Sequence, residues 1–505
     1  KTMALSSHRF LIFFQQVVVK LFTISIDQGT SSTRVFLVNE EGRIVKKFQR
    51  RITQIYPKPG WVEHDPNEIL ETVKDGLSNI LEGVNPKDVK GIGITNQRET
   101  SVVWDAESGK PLYNAIVWQC RRTAPICEEL KRKGLDDLIK DRTGLPLDPY
   151  FSGTKIKWLI ENVDEVKESL KRGRLRFGTI DSFLIHSLTR ERNHLTDLSN
   201  ASRTMLFNLR TLKWDLDILE YLSIPKDILP EVVDSVGYFG ETIHGIPILS
   251  VMGDQQSALF GQLCFKEGMV KVTYGTGAFI LMNTGENLKK SKKLVSTIAW
   301  GMDGKVIYAL EGSIFNCGTL IDWLVKVGLV SKPSETEDVA MSLEKNDDVY
   351  FVGAFSGLGA PHWDSRARGL FIGLTSDAGR EHLVRSVLES IAYSVYEVAK
   401  LMEEDSGIEL REIRVDGGVS KNNFLMQFQS DILGKEISRP VNRESTAMGV
   451  TFAAGVKSGI WKMEELEELR KTDRRFIPDE SRRGRLMKNF DRWKEAVKRA
   501  MGWAR

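Results

Sequence analysis

Arg98 and Glu99 stand side by side at the end of the apolar run in "GIGITNQRET". Arginine offers a fork of donors and ionised glutamate only accepts, so the pair matches a ligand with neighbouring hydroxyls, each of which does both. By itself the pair also fits a surface ion pair, which contributes little to stability. Asp254 and Gln255 follow another apolar run, Ile246–Met252, in "MGDQQSALFGQ". A carboxylate at such a strand end can take the proton from a hydroxyl nucleophile. Trp118 in "NAIVWQCRR" and Tyr150 in "DPYFSGTK" supply flat apolar faces for a carbon skeleton or, equally, for the core.

A second set of residues suits phosphate. "FTISIDQGTSSTRVFLV" (Phe22–Val38) reads as two strands around a turn of small and polar residues. Backbone N–H groups of such a turn can converge on an anion, and Thr30, Ser31 and Ser32 add hydroxyls. Asp27, at the strand end, has the oxygen chemistry of a ligand to phosphate-bound Mg²⁺. A plain hairpin is the alternative. "VKVTYGTGAFILMN" (Val270–Asn283) repeats the plan in the other half of the chain, with Thr276 and Gly277 at its turn. A third element, "IRVDGGVSKNNFLMQFQSDIL" (Ile413–Leu433), reads as strand, DGG turn and helix, its paired glycines letting a flat ligand approach the backbone. Neither a Walker A sequence nor GxGxxG is present, which excludes the P-loop and Rossmann readings.

These residues need rigid elements to hold them. Strand patterns alternate with helical ones such as Lys157–Arg172 and His382–Met402, which predicts a mixed α/β protein. A chain of 505 residues exceeds one ordinary core, so two large domains are expected. Lys plus Arg (71) nearly balance Asp plus Glu (68), which argues against a dedicated nucleic-acid binder. The four cysteines form no CxxC pair and read as reduced thiols. Phe10–Val19 is uncharged, interrupted by Gln15 and Gln16, and shorter than the ~20 residues a membrane span takes, so no membrane insertion is expected. The charged C-terminal helical pattern reads as a solvated face.

The two Gly-Thr hairpins and the DGG turn, in this order, resemble the actin/Hsp70/sugar-kinase superfamily. The resemblance narrows with "IDQGTSSTR", "QIYPKPGWVEHDP", "GITNQRET", "YNAIVWQCRRTA", "DPYFSGTKIKWL", "NASRTMLFN", "GDQQSALFGQLC", "YGTGAF", "GLGAPHWD" and "DGGVSKNNFLMQFQSDILG". Together they resemble the glycerol-phosphorylating members of the FGGY carbohydrate-kinase family, from about Leu21 nearly to the C-terminus. The resemblance implies two ribonuclease-H-like (actin-like ATPase) domains facing across a central cleft. An N-terminal extension would cover residues 1–20, an acceptor and phosphate domain 21–261, and a nucleotide domain 262–505. The implied reaction is transfer from ATP, with Mg²⁺, to glycerol, giving sn-glycerol 3-phosphate. A cytoplasmic homodimer or homotetramer is implied as well.

Carried over position by position, Arg98, Glu99, Trp118, Tyr150, Asp254, Gln255 and Phe279 match the glycerol site, with Asp254 as base. Asp27 and Asp254 match the metal-associated carboxylates. Thr30, Ser31, Ser32, Arg34, Thr276, Gly277, Gly318, Gly418 and Asn422 match nucleotide positions. Asp322 stands where bacterial members often carry glutamine. The segment Gly237–Gly245 is too short for the Gly/Lys-rich loop that binds fructose 1,6-bisphosphate in some members.

Overall fold

The computed structural model describes residues 20–504. Apart from Lys20, the expected N-terminal extension lies outside the described residues. The central strands are apolar on both faces: Phe22–Gln28 buries six consecutive residues, the pattern of a sheet covered by helices on either side.

Thirteen strands form the main sheet, and within it one five-stranded plan occurs twice. In the first half, Ser32–Asn39 lies antiparallel between Phe22–Gln28 and Ile44–Arg51. Val89–Asn96 then adds parallel to Phe22–Gln28, and Pro247–Gly253 adds parallel to Val89–Asn96. In the second half, Ala278–Gly285 lies antiparallel between Val270–Tyr274 and Lys305–Ile314. Ile413–Asp416 and Ile437–Pro440 follow in parallel on the other side of Val270–Tyr274. The two Gly-Thr hairpins of the sequence therefore open two copies of one topology. The copies meet edge to edge through Val236–Glu241 and Val295–Met302, on the single pair Val236↔Met302.

Helix Ser445–Ser458 ties the halves together more firmly. It follows the last parallel strand of the second half, yet it packs on helix Asp254–Gly261 and on the first half's strands. Glycine makes this approach possible. A Cβ on Gly449 would lie 1.8 Å from the Ser257 carbonyl oxygen, and one on Gly93 2.4 Å from that of Val450. Ser257 Oγ donates to the Thr446 carbonyl at 2.6 Å and Ser250 Oγ to that of Val450 at 2.7 Å.

Two expectations change. The pattern over Lys157–Arg172 forms two helices, Ser152–Asn162 and Asp164–Lys171, because Val163 turns extended (φ −117°, ψ 116°). That break buries Val163 and Val166 in one apolar cluster with Leu159. The C-terminal helix Glu480–Ala500 is not merely a solvated face. Its Leu486, Phe490, Trp493 and Val497 are buried, and the Trp493 indole donates to the Phe351 carbonyl at 2.9 Å. His382–Met402 lies inside one long helix, Arg380–Ser406, as its period predicts.

Candidate active site

Parallel strands end on one edge of a sheet, and ligands of α/β proteins gather there. In the first half this edge collects Asp27, the Arg98–Glu99 turn and Asp254 from three neighbouring strands. In the second half the same edge carries the Gly275–Gly277 turn and Asp416–Gly418.

Arg98 and Glu99 are 2 % and 1 % exposed, so the surface-pair alternative is excluded. Glu99 adopts a left-handed backbone (φ 60°), a conformation that persists in non-glycine residues only when neighbours hold it. Two donors do so: Ser152 Oγ and Lys155 Nζ reach its carbonyl at 3.0 and 3.3 Å. Lys155 Nζ also donates to the Tyr150 carbonyl, pinning the Glu99 turn to the Tyr150 turn. Burial lowers this lysine to about 8.

The Arg98 guanidinium gives both terminal nitrogens to Glu311, at 2.5 and 2.9 Å. Its Nε lies 3.1 Å from Asp254 Oδ1. Glu99 Oε1 accepts from Arg203 Nε at 2.6 Å, and Arg203 also reaches Glu311 at 3.3 Å. Burial drives the Glu99 carboxyl up from its ordinary range despite Arg203 and Arg98. For Glu311 burial acts in the same direction, but Arg203 and Arg98 outweigh it and hold the carboxyl at about 2. Gln255 Oε1 accepts from Lys271 Nζ, which also lies 3.4 Å from the Phe279 carbonyl oxygen. Burial lowers Lys271 to about 8. Trp118 and Tyr150, both half-buried, meet edge to face with ring centroids 5.4 Å apart.

Trp118 also reaches the phosphate turn, its indole N–H donating to Thr30 Oγ1 at 2.9 Å. Gln54 Nε2 holds the Thr30 carbonyl at 2.8 Å, and His64 holds Gln54 at 3.0 Å. Burial lowers His64 to about 4, so it stays neutral near pH 7. Ser31 is exposed and Ser32 half-buried at the mouth of the turn. Arg34 pairs with Asp27 and, at 2.5 Å, with Glu444. Burial raises Asp27 to about 6; Arg34 opposes the shift and the Asp254 charge adds to it. A buried carboxylate whose ionisation is opposed by burial and by a second nearby carboxylate fits a divalent cation. Mg²⁺ characteristically takes one or two carboxylates and completes its shell with phosphate and water oxygens.

On the other side, the Gly275–Gly277 turn packs against the start of helix Gly318–Lys326. A Cβ on Gly277 would lie 2.4 Å from the Ile314 carbonyl oxygen, and one on Gly318 2.7 Å from that of Gly275. Thr276 is exposed at this turn, and Gly418 has open space where a side chain would stand. Asp322, exposed, lies one turn into the helix. Asn422 is already engaged. Its Oδ1 caps helix Asn423–Leu433 through the Leu425 N–H at 2.9 Å, and its Nδ2 donates to Thr336 at 3.1 Å.

Sequence reasoning missed Lys155, Arg203, Lys271 and Glu311. The signal was charge inside apolar strands: Glu311 in "VIYALEGSI" and Lys271 in "MVKVTY". Ionised side chains at such positions are buried, and buried charges need partners.

The chain belongs to the FGGY family of carbohydrate kinases: the family's N-terminal domain matches residues 22–261 and its C-terminal domain residues 270–458. Within that family it is 54 % identical to a curated relative, glycerol kinase 2 of Thermotoga maritima, over 95 % of this chain and 99 % of that one. A solved structure, Plasmodium falciparum glycerol kinase with ADP, superposes with a TM-score of 0.90 at 39 % identity, covering 95 % of this chain and 98 % of that one. Gluconate kinase from Lactobacillus acidophilus matches with a TM-score of 0.87 at 23 % identity, covering 95 % of this chain and 98 % of that one. That last likeness shows the fold alone, so the fold does not decide the acceptor.

Proposed function

We propose that the chain phosphorylates glycerol with ATP, giving sn-glycerol 3-phosphate and ADP. The observation that carries this reading is the buried Arg98–Glu99 turn, with Asp254 Oδ1 3.1 Å from Arg98. It sets a donor fork, an acceptor and a base together at one strand edge. The 54 % identity to a curated glycerol kinase supports the choice of acceptor.

In this mechanism Arg98 and Glu99 bind neighbouring hydroxyls of glycerol, while Trp118, Tyr150 and Phe279 enclose its carbon chain. Gln255 adds an amide donor, its carbonyl being taken by Lys271. Asp254 accepts the proton of the terminal hydroxyl. The oxygen's electron pair then forms the bond to the γ-phosphorus, and the bond to the bridging oxygen breaks toward ADP. Positioning and charge stabilisation supply most of the catalysis in such transfers. Asp27 and Asp254 would hold Mg²⁺, which when bound neutralises phosphate charge. Thr30, Ser31, Ser32 and Arg34 face the phosphates from the 21–261 side. Thr276, Gly277, Gly318, Asp322, Gly418 and Asn422 form the nucleotide side in 262–505. Cleft closure between the halves excludes water. Among the described residues no helix is long and apolar enough to cross a membrane, and we place the enzyme in the cytoplasm as a homodimer or homotetramer.

The test is an acceptor panel with ADP detection: glycerol, dihydroxyacetone, xylulose, gluconate and water. Glycerol should give by far the highest kcat/KM. A preference for a ketose or an aldonate would overturn the choice of acceptor, and ADP release with water alone would overturn the transferase reading.

A further inference from the structure

The Arg98–Glu99 turn is aimed by groups that lie beyond it, and we infer that Arg203 and Glu311 are positioning residues for the acceptor pocket. The inference rests on the reading that Arg98 and Glu99 face the acceptor. The four side chains close a ring of two guanidinium and two carboxylate groups, all at most 2 % exposed. Arg98 gives one N–H of each terminal nitrogen to Glu311, which fixes the plane of its guanidinium, turns Nε toward Asp254 and leaves a second N–H on Nη2. Arg203 takes Glu99 through Oε1, so that carboxylate has one oxygen committed and its rotation about the terminal bond stopped. Arg203 also touches Glu311, closing the ring at 3.3 Å.

The geometry explains why the ring uses two arginines. A lysine is a point charge on a flexible stem, whereas a planar guanidinium binds two carboxylates at fixed angles. The ring is balanced in charge, so no member is left as an uncompensated ion in a dry interior. Glu311 adds a second consequence. It lies in strand Lys305–Ile314, within the part of the chain that matches the C-terminal family domain, whereas Arg98, Glu99 and Arg203 lie in the part matching the N-terminal one. The acceptor pocket is therefore aimed only when both halves are docked. Gln256 supports the same arrangement, accepting from Arg98 at 3.3 Å while donating to the Ile298 carbonyl at 3.3 Å.

The experiment is steady-state kinetics on Arg203→Lys and Glu311→Gln, with Arg98→Ala beside them. Arg203→Lys keeps the ring's charge balance and decides the matter if Glu311→Gln fails to fold. A pocket element misplaced by a fraction of its size is expensive, so each variant should raise the KM for glycerol about ten- to a hundredfold. The KM for MgATP should stay at the wild-type value, a split that mere loss of stability does not produce. An unchanged glycerol KM in Arg203→Lys would overturn the inference, and so would an equal rise in both KM values. If Arg98→Ala itself leaves the glycerol KM unchanged, the acceptor reading has failed and the positioning inference falls with it. If Arg98→Ala raises that KM and Arg203→Lys does not, the positioning inference alone has failed.

Discussion

The two halves of the sheet share one strand plan and carry different chemistry on it. Register aligns "DQGT" at the end of Phe22–Gln28 with "YGT" at the end of Val270–Tyr274, so Thr273 occupies in the second half the place Asp27 holds in the first. The next parallel strand ends in Asn96 and then the Arg98–Glu99 turn in the first half, but in Asp416 and a glycine pair in the second. One half crowns its strand ends with buried charge. The other crowns them with backbone that a ligand can approach. The fold decides where strand ends converge, and under the proposed function the side chains at those ends give hydroxyl binding to one half and the nucleotide to the other.

The proposed function puts acceptor activation in the first half, and Asp254→Asn tests this most severely. Asparagine keeps the size and can still hydrogen-bond an acceptor hydroxyl, but it cannot take a proton. General-base assistance is worth about 10²–10⁴-fold, so single-turnover formation of glycerol 3-phosphate should fall by at least about 10². Nucleotide binding, followed by fluorescence, should persist because its proposed cradle in Asp27–Ser32, Gly275–Gly277 and Asp416–Gly418 is left unchanged. Near-wild-type turnover would show that Asp254 is not the base. Loss of nucleotide binding would place it in the phosphate cradle, and the division of labour would break.

Gly417→Ala probes the second half. Gly417 has φ +87°, and a Cβ there would lie 2.4 Å from the Tyr274 carbonyl oxygen. A backbone forced out of such a position costs about 1–3 kcal/mol, and the displaced turn is the one the nucleotide reading needs. The KM for MgATP should rise about tenfold or more, as 1.4 kcal/mol is a factor of ten. The KM for glycerol should change little. Equal effects on both would mean that the halves do not act separately.

Much of this strand plan was legible in the sequence. Hairpins, strand-end carboxylates and the DGG turn are local patterns, and each appears in the structure where its residues predicted it. The ring was not legible, because its members are joined only by tertiary contact. Arg203 meets Glu99 across 104 residues and Glu311 meets Arg98 across 213. A lone charge in an apolar strand announces that a partner exists without naming it. Asn422 adds a structural role the sequence did not announce: the resemblance matched it to a nucleotide position, and its side chain also caps a helix and holds Thr336. The break at Val163 was hidden for a similar reason. The helical period continues through it, and only the demand to bury Val163 with Val166 decides where the chain bends.

The smallest effect concerns the helices that lie between the fourth and fifth strands of each plan. In the second half, helix Asn423–Leu433 buries Asp431, which pairs with Arg482 at 2.7 Å. In the first half, helix Ile180–Leu188 buries Asp181 with no cation. Two hydroxyls serve it instead, Thr179 at 2.5 Å and Thr196 at 2.7 Å. Burial raises Asp181 from 3.8 to about 7, and the Asp197 charge adds to the shift. Burial raises Asp197 as well, opposed by hydrogen bonds from Ser235 Oγ at 2.6 Å and from the Ser199 and Asn200 N–H groups at 2.8 and 2.9 Å. The native state thus holds a proton on Asp181 between about pH 4 and pH 7 that the unfolded chain has released. The sign follows: the stability this proton provides is full below the unfolded value and is lost as pH rises to about 7, beyond which the contribution levels off. Asp181→Asn mimics the protonated acid at every pH. Relative to that variant, the wild type should lose about 2 kcal/mol of stability between pH 5.5 and pH 7, near 1.4 kcal/mol per unit. Thermal melts of the two proteins across this range should show the variant gaining steadily on the wild type. A constant difference would mean that Asp181 is already ionised at pH 5.5, and that the first half tolerates an unpaired buried acid as readily as the second tolerates its paired one.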